Sequence, residues 1–179
     1  EATPAFQKAT ELDPKNADYL IRLGKVYNQR SMGAEATATF EKAHQLGGGD
    51  HLSWFYLGQA YEAQNKTPEA IAAYEKSIAM KDDFYASHSA LGSIYLAQEK
   101  YGLAANQFKR AAQIDPQAYK ASYNYAIAVQ SDDPDDYDAA IMAWESFLTA
   151  HKNNPKAAKL VTGARETVKA LKDAKGAGQ

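Results

Sequence analysis

Apolar residues recur along this chain in a fixed order of large and small. Leu20, Leu23, Gly24 and Tyr27 are followed by Ala36, Phe40 and Ala43. The same slots return 34 residues on as Trp54, Leu57, Gly58, Tyr61, Ala70 and Tyr74, and again as His88, Leu91, Gly92, Tyr95, Ala104, Phe108 and Ala111. Within each set the positions lie three and four apart, the spacing of one helix face. Each module is therefore predicted to be two amphipathic helices joined by a turn, the turns falling near Ser31 to Gly33 and at Asn65-Lys66-Thr67-Pro68. Asp13-Pro14 and Asp115-Pro116 mark helix ends, because proline disfavours helix at the residue before it.

These signals divide the chain. Residues 1–16, with Phe6 and Ala9, read as the second helix of a truncated module; 17–49, 50–83 and 84–117 read as complete modules. Residues 118–153 form a degenerate one. There Tyr125, Ala126 and Val129 replace Leu, Gly and Tyr, and Ser131-Asp-Asp-Pro-Asp-Asp136 adds two residues before Ala140, Trp144 and Phe147 resume the pattern. Residues 154–175 are expected to be a basic capping helix, opened by a capping Asn154 and a first-turn Pro155, with Ala157, Leu160, Val161, Ala164, Val168 and Leu171 on one stripe. Residues 176–179 are expected to fray. Gly47-Gly48-Gly49 is expected to be a flexible joint. Because the chain opens in mid-module, it reads as a fragment whose upstream part would carry any targeting segment.

Gly24, Gly58 and Gly92 lie on helix faces, where glycine costs about 1 kcal/mol relative to alanine. Close helix approach offsets that cost. Ala36, Ala70 and Ala104 are the expected small partners on the second helices, with Tyr27, Tyr61, Tyr95 and Phe40, Tyr74, Phe108 filling the wider gaps.

The order W-x2-L-G-x2-Y, then A-x3-F, then P, resembles the tetratricopeptide repeat. That resemblance covers nearly the whole chain. It implies an all-α fold, a right-handed superhelical array of antiparallel helix pairs, with the first helix of each pair lining a concave groove that holds extended peptides or helices of partners. Carried over position by position, the groove would be lined by Arg22, Lys25, Asn28, Leu52, Phe55, Gln59, Glu62, Ser89, Ser93, Leu96, Lys120, Tyr123, Asn124 and Ile127. Apolar and polar groups are mixed, which suits a peptide or an amphipathic helix. Some similar proteins grip the free carboxylate of a chaperone tail with lysines and asparagines from adjacent repeats. Here Arg22, Lys25 and Asn28 begin such a set beside Asp18, but Phe55, Tyr56, Gln59 and Ser89, Ala90, Ser93 do not continue it. A non-catalytic interaction scaffold is the leading expectation. Self-assembly through the exposed face of the first helix, including Phe6, and service as a regulatory arm of a larger enzyme are the alternatives.

Composition narrows the chemistry further. With 45% hydrophobic and 23% charged residues the chain has the make-up of a folded domain, and its formal charge of -2 gives no field for nucleic acid. No apolar run is long enough to span a bilayer, so a soluble protein is expected; its compartment is left open, cytoplasm or periplasm if the weakly bacterial character of the sequence holds. Cysteine is absent, which removes disulfides and thiolate chemistry. His44, His51, His88 and His151 show no metal-ligand spacing. The acidic run Asp132, Asp133, Asp135, Asp136, Asp138 lacks the glycine and glutamate of a calcium loop, since from Asp133 the sixth and twelfth positions are Asp138 and Trp144. A solvated turn that places negative charge at a helix N-terminus is the better reading, with a weak divalent site as the alternative. No phosphate-binding glycine loop or nucleophile elbow occurs. No enzyme, cofactor or metal is expected. Lys152, Lys156, Lys159, Arg165, Lys169, Lys172 and Lys175 make the last segment basic, either a solvated face or a dock for an acidic surface.

Overall fold

The computed structural model describes residues 2–177, and among them every regular element is helical. The order is α1 (Ala2–Leu12), α2 (Ala17–Gln29), α3 (Gly33–Gln45), α4 (His51–Glu62), α5 (Thr67–Met80), α6 (Tyr85–Ala97), α7 (Tyr101–Ile114), α8 (Tyr119–Asp132), α9 (Tyr137–His151), a short 3-10 turn (Pro155–Ala157) and α10 (Ala158–Ala177). They form two compact units, Glu1–Ser87 and His88–Gln179, the division falling within α6.

In the first unit each helix from α1 to α5 packs on the next, and α2 also reaches α4. Its core gathers Ala36, Phe40, Leu57, Ala60 and Ala73, with Tyr27, Trp54, Tyr56 and Tyr61 packed around them. The aromatic rings cover the helical glycines directly. A Cβ added at Gly24 would lie 2.9 Å from Phe40 Cζ, one at Gly58 would lie 2.6 Å from Tyr74 Cε1, and in the second unit one at Gly92 would lie 3.0 Å from Phe108 Cδ1. The expectation that the alanines were the glycines' partners is thus corrected. A ring lies flat against each glycine, and Ala36, Ala70 and Ala104 are buried beside it.

The second unit packs α7 on α8, α8 on α9 and α9 on α10. One cluster joins Ala104, Phe108 and Ala128; another joins Ala126, Trp144 and Phe147 to Ala157, Val161, Ala164, Val168 and Leu171. The apolar stripe of α10 is therefore buried on α9. Two of its lysines are also used there, Lys172 Nζ on Glu145 Oε1 at 2.7 Å and Lys175 Nζ on Asp138 Oδ1 at 2.5 Å. The end expected to fray is helical through Ala177, while residues 178 and 179 lie outside the described residues. Asn154 caps a 3-10 turn rather than α10 itself, its Oδ1 accepting the Lys156 N–H at 3.0 Å.

The glycine triplet is no loose joint. Gly47 (φ +77°) closes α3 with its N–H on His44 O at 3.0 Å, and the Gly48 N–H reaches Ala43 O at 3.1 Å, the paired bonds of a Schellman ending. A Cβ at Gly48 would fall 2.1 Å from Ala17 Cβ. Asp50 and Ser53 then start α4 with a reciprocal capping box, Ser53 N–H to Asp50 Oδ1 at 2.9 Å and Asp50 N–H to Ser53 Oγ at 3.0 Å.

Candidate functional site

The expected ligand face divides between the two units. In the first, α2 supplies Arg22, Lys25 and Asn28, and α4 supplies Leu52, Phe55, Gln59 and Glu62. Arg22 and Gln59 are exposed, whereas Lys25, Asn28, Leu52 and Phe55 are half-buried. Several of these groups are already engaged. Asn28 Nδ2 donates to the Tyr56 carbonyl at 2.7 Å, and Lys25 Nζ stands 5.1 Å above the Tyr56 ring, a cation–π distance. Glu62 accepts the Tyr74 hydroxyl. Burial of Tyr74, reinforced by that carboxylate, raises its pKa so that the phenol stays protonated. Phe55 packs edge-on to Phe84 at 5.3 Å and tilted against Tyr74 at 5.7 Å.

Around Arg22 the surface opens into a cavity of about 420 Å³ that Asp18, Ile21, Lys25, Gly49 and Asp50 also line. Two cations here face two carboxylates. The charges offset one another, so the pocket suits a polar backbone or a mixed-charge segment better than a lone anion.

In the second unit α6 supplies Ser89, Ser93 and Leu96, and α8 supplies Lys120, Tyr123, Asn124 and Ile127. Ser93 and Lys120 are exposed. Ser93 Oγ donates to the Ser89 carbonyl at 2.9 Å, a bond within its own helix. Tyr123 stacks edge-on to Trp144 and Phe147 at 5.1 and 5.4 Å, and Leu96 and Ile127 border the two apolar clusters. Each unit thus combines exposed polar positions with half-buried apolar ones on its first helices.

Other polar pairings were not legible from the repeat pattern. Trp144 Nε1 donates to Gln130 Oε1 at 2.7 Å, and Gln64 Nε2 bonds Thr37 Oγ1 at 2.7 Å and the Gly33 carbonyl at 3.0 Å. Ser87 Oγ donates to Ser77 Oγ at 2.7 Å, and Ser77 Oγ donates on to the His51 carbonyl at 2.7 Å, a buried relay of hydroxyls. Conjugate positions in adjacent helices were the only available signal. Two histidines, half-buried His44 and buried His151, have depressed pKa values. Burial is the main cause at His44, partly offset by Asp50 and Glu41, and the sole one at His151. In the acidic turn, Asp136 Oδ1 caps α9 through the Ala139 N–H at 2.9 Å and Asp133 Oδ1 accepts the Asp135 N–H at 3.1 Å, and no metal-holding cluster occurs among the described residues. Nor is any described helix long and apolar enough to cross a membrane.

Two family profiles, each described as tetratricopeptide repeat, match residues 16–83 and 89–155. No curated protein sequence matches the chain. Among solved structures, a crystal structure of MamA superposes with a TM-score of 0.79 at 22% identity, covering 87% of this chain and 90% of that one. A MamA from Desulfovibrio magneticus RS-1, residues 41 to the end, gives 0.69 at 14% identity over 88% of this chain and 89% of its own. YrrB, described as a repeat protein of this type with an unusual peptide-binding site, gives 0.71 at 20% identity over 90% of this chain and 80% of its own. At these identities the likeness is one of fold.

Proposed function

This chain belongs to the tetratricopeptide repeat family, and from that premise we propose that it is a non-catalytic scaffold holding a segment of a partner protein against its first-helix faces. The observation that carries this reading is the division of labour among side chains. Residues that define the repeat are spent in packing, Gly24 under Phe40 and Gly58 under Tyr74, while exposed Arg22 and Gln59 in one unit and Ser93 and Lys120 in the other stand beside half-buried apolar groups. Such a surface holds a segment through a few apolar anchors surrounded by polar contacts. Since Asn28 and Lys25 are held by Tyr56, the first unit's share of the face lacks the free lysine and asparagine pair that a terminal carboxylate requires. An internal peptide or an amphipathic helix is the better occupant. YrrB, with the same fold, is described as having a peptide-binding site.

Photo-crosslinking tests this directly. A benzophenone side chain introduced at Gln59, Ser93 or Lys120 should capture a partner, whereas one at the exposed second-helix residues Glu75 or Lys76 should not. Adducts formed only from Glu75 and Lys76 would move the site off the first helices. Self-assembly is the second reading, favoured by Leu12, Leu46 and Met80, exposed apolar residues at intervals of 34 in the first unit. Leu12 is 79% exposed while Phe6 is half-buried, so Leu12 rather than Phe6 is the large exposed apolar side chain among the described residues of α1. Adducts between two copies of the chain would assign the face to that role.

A further inference from the structure

Between α7 and α9, with α8 as its floor, the second unit holds an apolar cleft of about 570 Å³. Ala112, Ser122, Tyr125, Val129 and Met142 line it, and exposed Lys109 stands among them. Met142 is 71% exposed. The repeat register explains why the cleft is open. Ala112 and Ser122 stand 68 residues, two repeat periods, after His44 and Trp54. In the first unit those two rings stack face to face, centroids 3.9 Å apart and planes 15° from parallel. In the second unit a methyl and a hydroxymethyl replace imidazole and indole. Nearby Phe147 does not refill the space, because its ring packs against Tyr123, Trp144 and His151.

We propose that this cleft is an anchor pocket for a planar aromatic side chain, an indole foremost, presented by a segment of another protein. The chain itself is the template, since the same slot of the same fold takes an indole where the sequence supplies one. Here the ring must come from outside. Its flat faces would meet Val129, Met142 and Tyr125, and a buried ring of this size is the usual anchor of a protein interface. Ser122 Oγ contacts His151 Nε2 at 3.2 Å and, with two lone pairs, can still accept an indole N–H. Lys109 favours a carboxylate beside the anchor. This site takes its walls from the second helices α7 and α9 and its floor from α8 positions outside the expected groove set, and it does not rest on the reading of the first-helix face.

Methyl NMR on the full chain tests it, with N-acetyl-tryptophanamide, N-acetyl-leucinamide and a blocked Glu-Trp-Glu tripeptide as probes. The Met142 and Val129 methyl signals should shift saturably with the tryptophan amide and several-fold more weakly with the leucine one. The tripeptide should bind several-fold tighter than the amide, an advantage that Lys109→Gln removes while the indole shift persists. Ala112→Trp supplies the ring from within, leaves the Ser122–His151 contact in place, and should lose the ligand shift while keeping a cooperative melt. If that variant does not fold, Met142→Glu, at an exposed position, should weaken indole binding several-fold. The proposal is overturned by an absent or unsaturable shift, by an equal response to the leucine amide, or by full binding in either folded variant. Equal affinity for the amide and the tripeptide would overturn the protein-borne source and leave a pocket for free aromatic molecules.

Discussion

At single residues, the glycine–ring contacts of the helix faces set close steric constraints on the fold. Gly58 meets a Tyr74 ring that is fully buried and held at its hydroxyl by Glu62, so the ring cannot swing aside. Gly92 faces Phe108 at a looser distance, and that ring has no polar tether. Gly58→Ala should therefore destabilise by about 1–3 kcal/mol, the range for overpacking a filled site, and Gly92→Ala by less. Chemical denaturation of both variants measures the order. Equal losses would show that the hydroxyl bond does not fix the ring. The sequence made the glycines conspicuous, but the identity of the covering ring depends on how the paired helices are rotated, which spacing alone leaves open.

Among the elements, the turns inside the helix pairs repeat as faithfully as the helices. Ser31, Asn65 and Glu99 stand 34 residues apart and all have positive φ, 59°, 58° and 57°. A left-handed residue lets the chain reverse in few residues, but a side chain other than glycine or asparagine is strained there. Glu99→Gly should relieve that strain and raise stability by about 0.5–1 kcal/mol, whereas Asn65→Gly should change little. Thermal melts of the two variants give the comparison, and a destabilised Glu99→Gly would place the strain elsewhere. In the fourth pair the register breaks. Asp133, the next position at this interval, is extended (φ -136°), and its carboxylate bonds the Asp135 amide instead. The two extra residues were visible in the sequence as an acidic insert. Their exchange of a left-handed turn for a side-chain turn was not, since both conformations accept aspartate. The glycine triplet misled for a related reason: glycine runs suggest slack, yet Gly47 and Gly48 are required here by positive φ and by the approach of Ala17.

For the whole molecule, the repeat lettering carries the fold because burial enforces it at every period, while the ligand face was legible only by residue type. Asn28, Lys25 and Glu62 were read as available, and their engagement with Tyr56 and Tyr74 depends on side chains of neighbouring helices. The same neighbour effects set how the molecule responds to acid. Two histidines bear on this: half-buried His44 stacked on Trp54, its Nδ1 buried without a partner, and His151 almost fully buried beside Ser122. Both pKa values lie below the ordinary 6.5, with burial as the leading cause. As pH falls through 6.5 the unfolded chain binds protons that the folded chain refuses, so folded stability declines, and the decline continues down to the depressed folded values. The ion pairs Lys172–Glu145 and Lys175–Asp138 are solvent-exposed and contribute little to stability. The melting temperature should therefore drop between pH 7 and pH 5 at fixed salt. In a His44→Gln, His151→Gln variant the slope should flatten whatever its height, because the glutamines take up no proton. An undiminished slope in that variant would assign the acid response to other titratable groups.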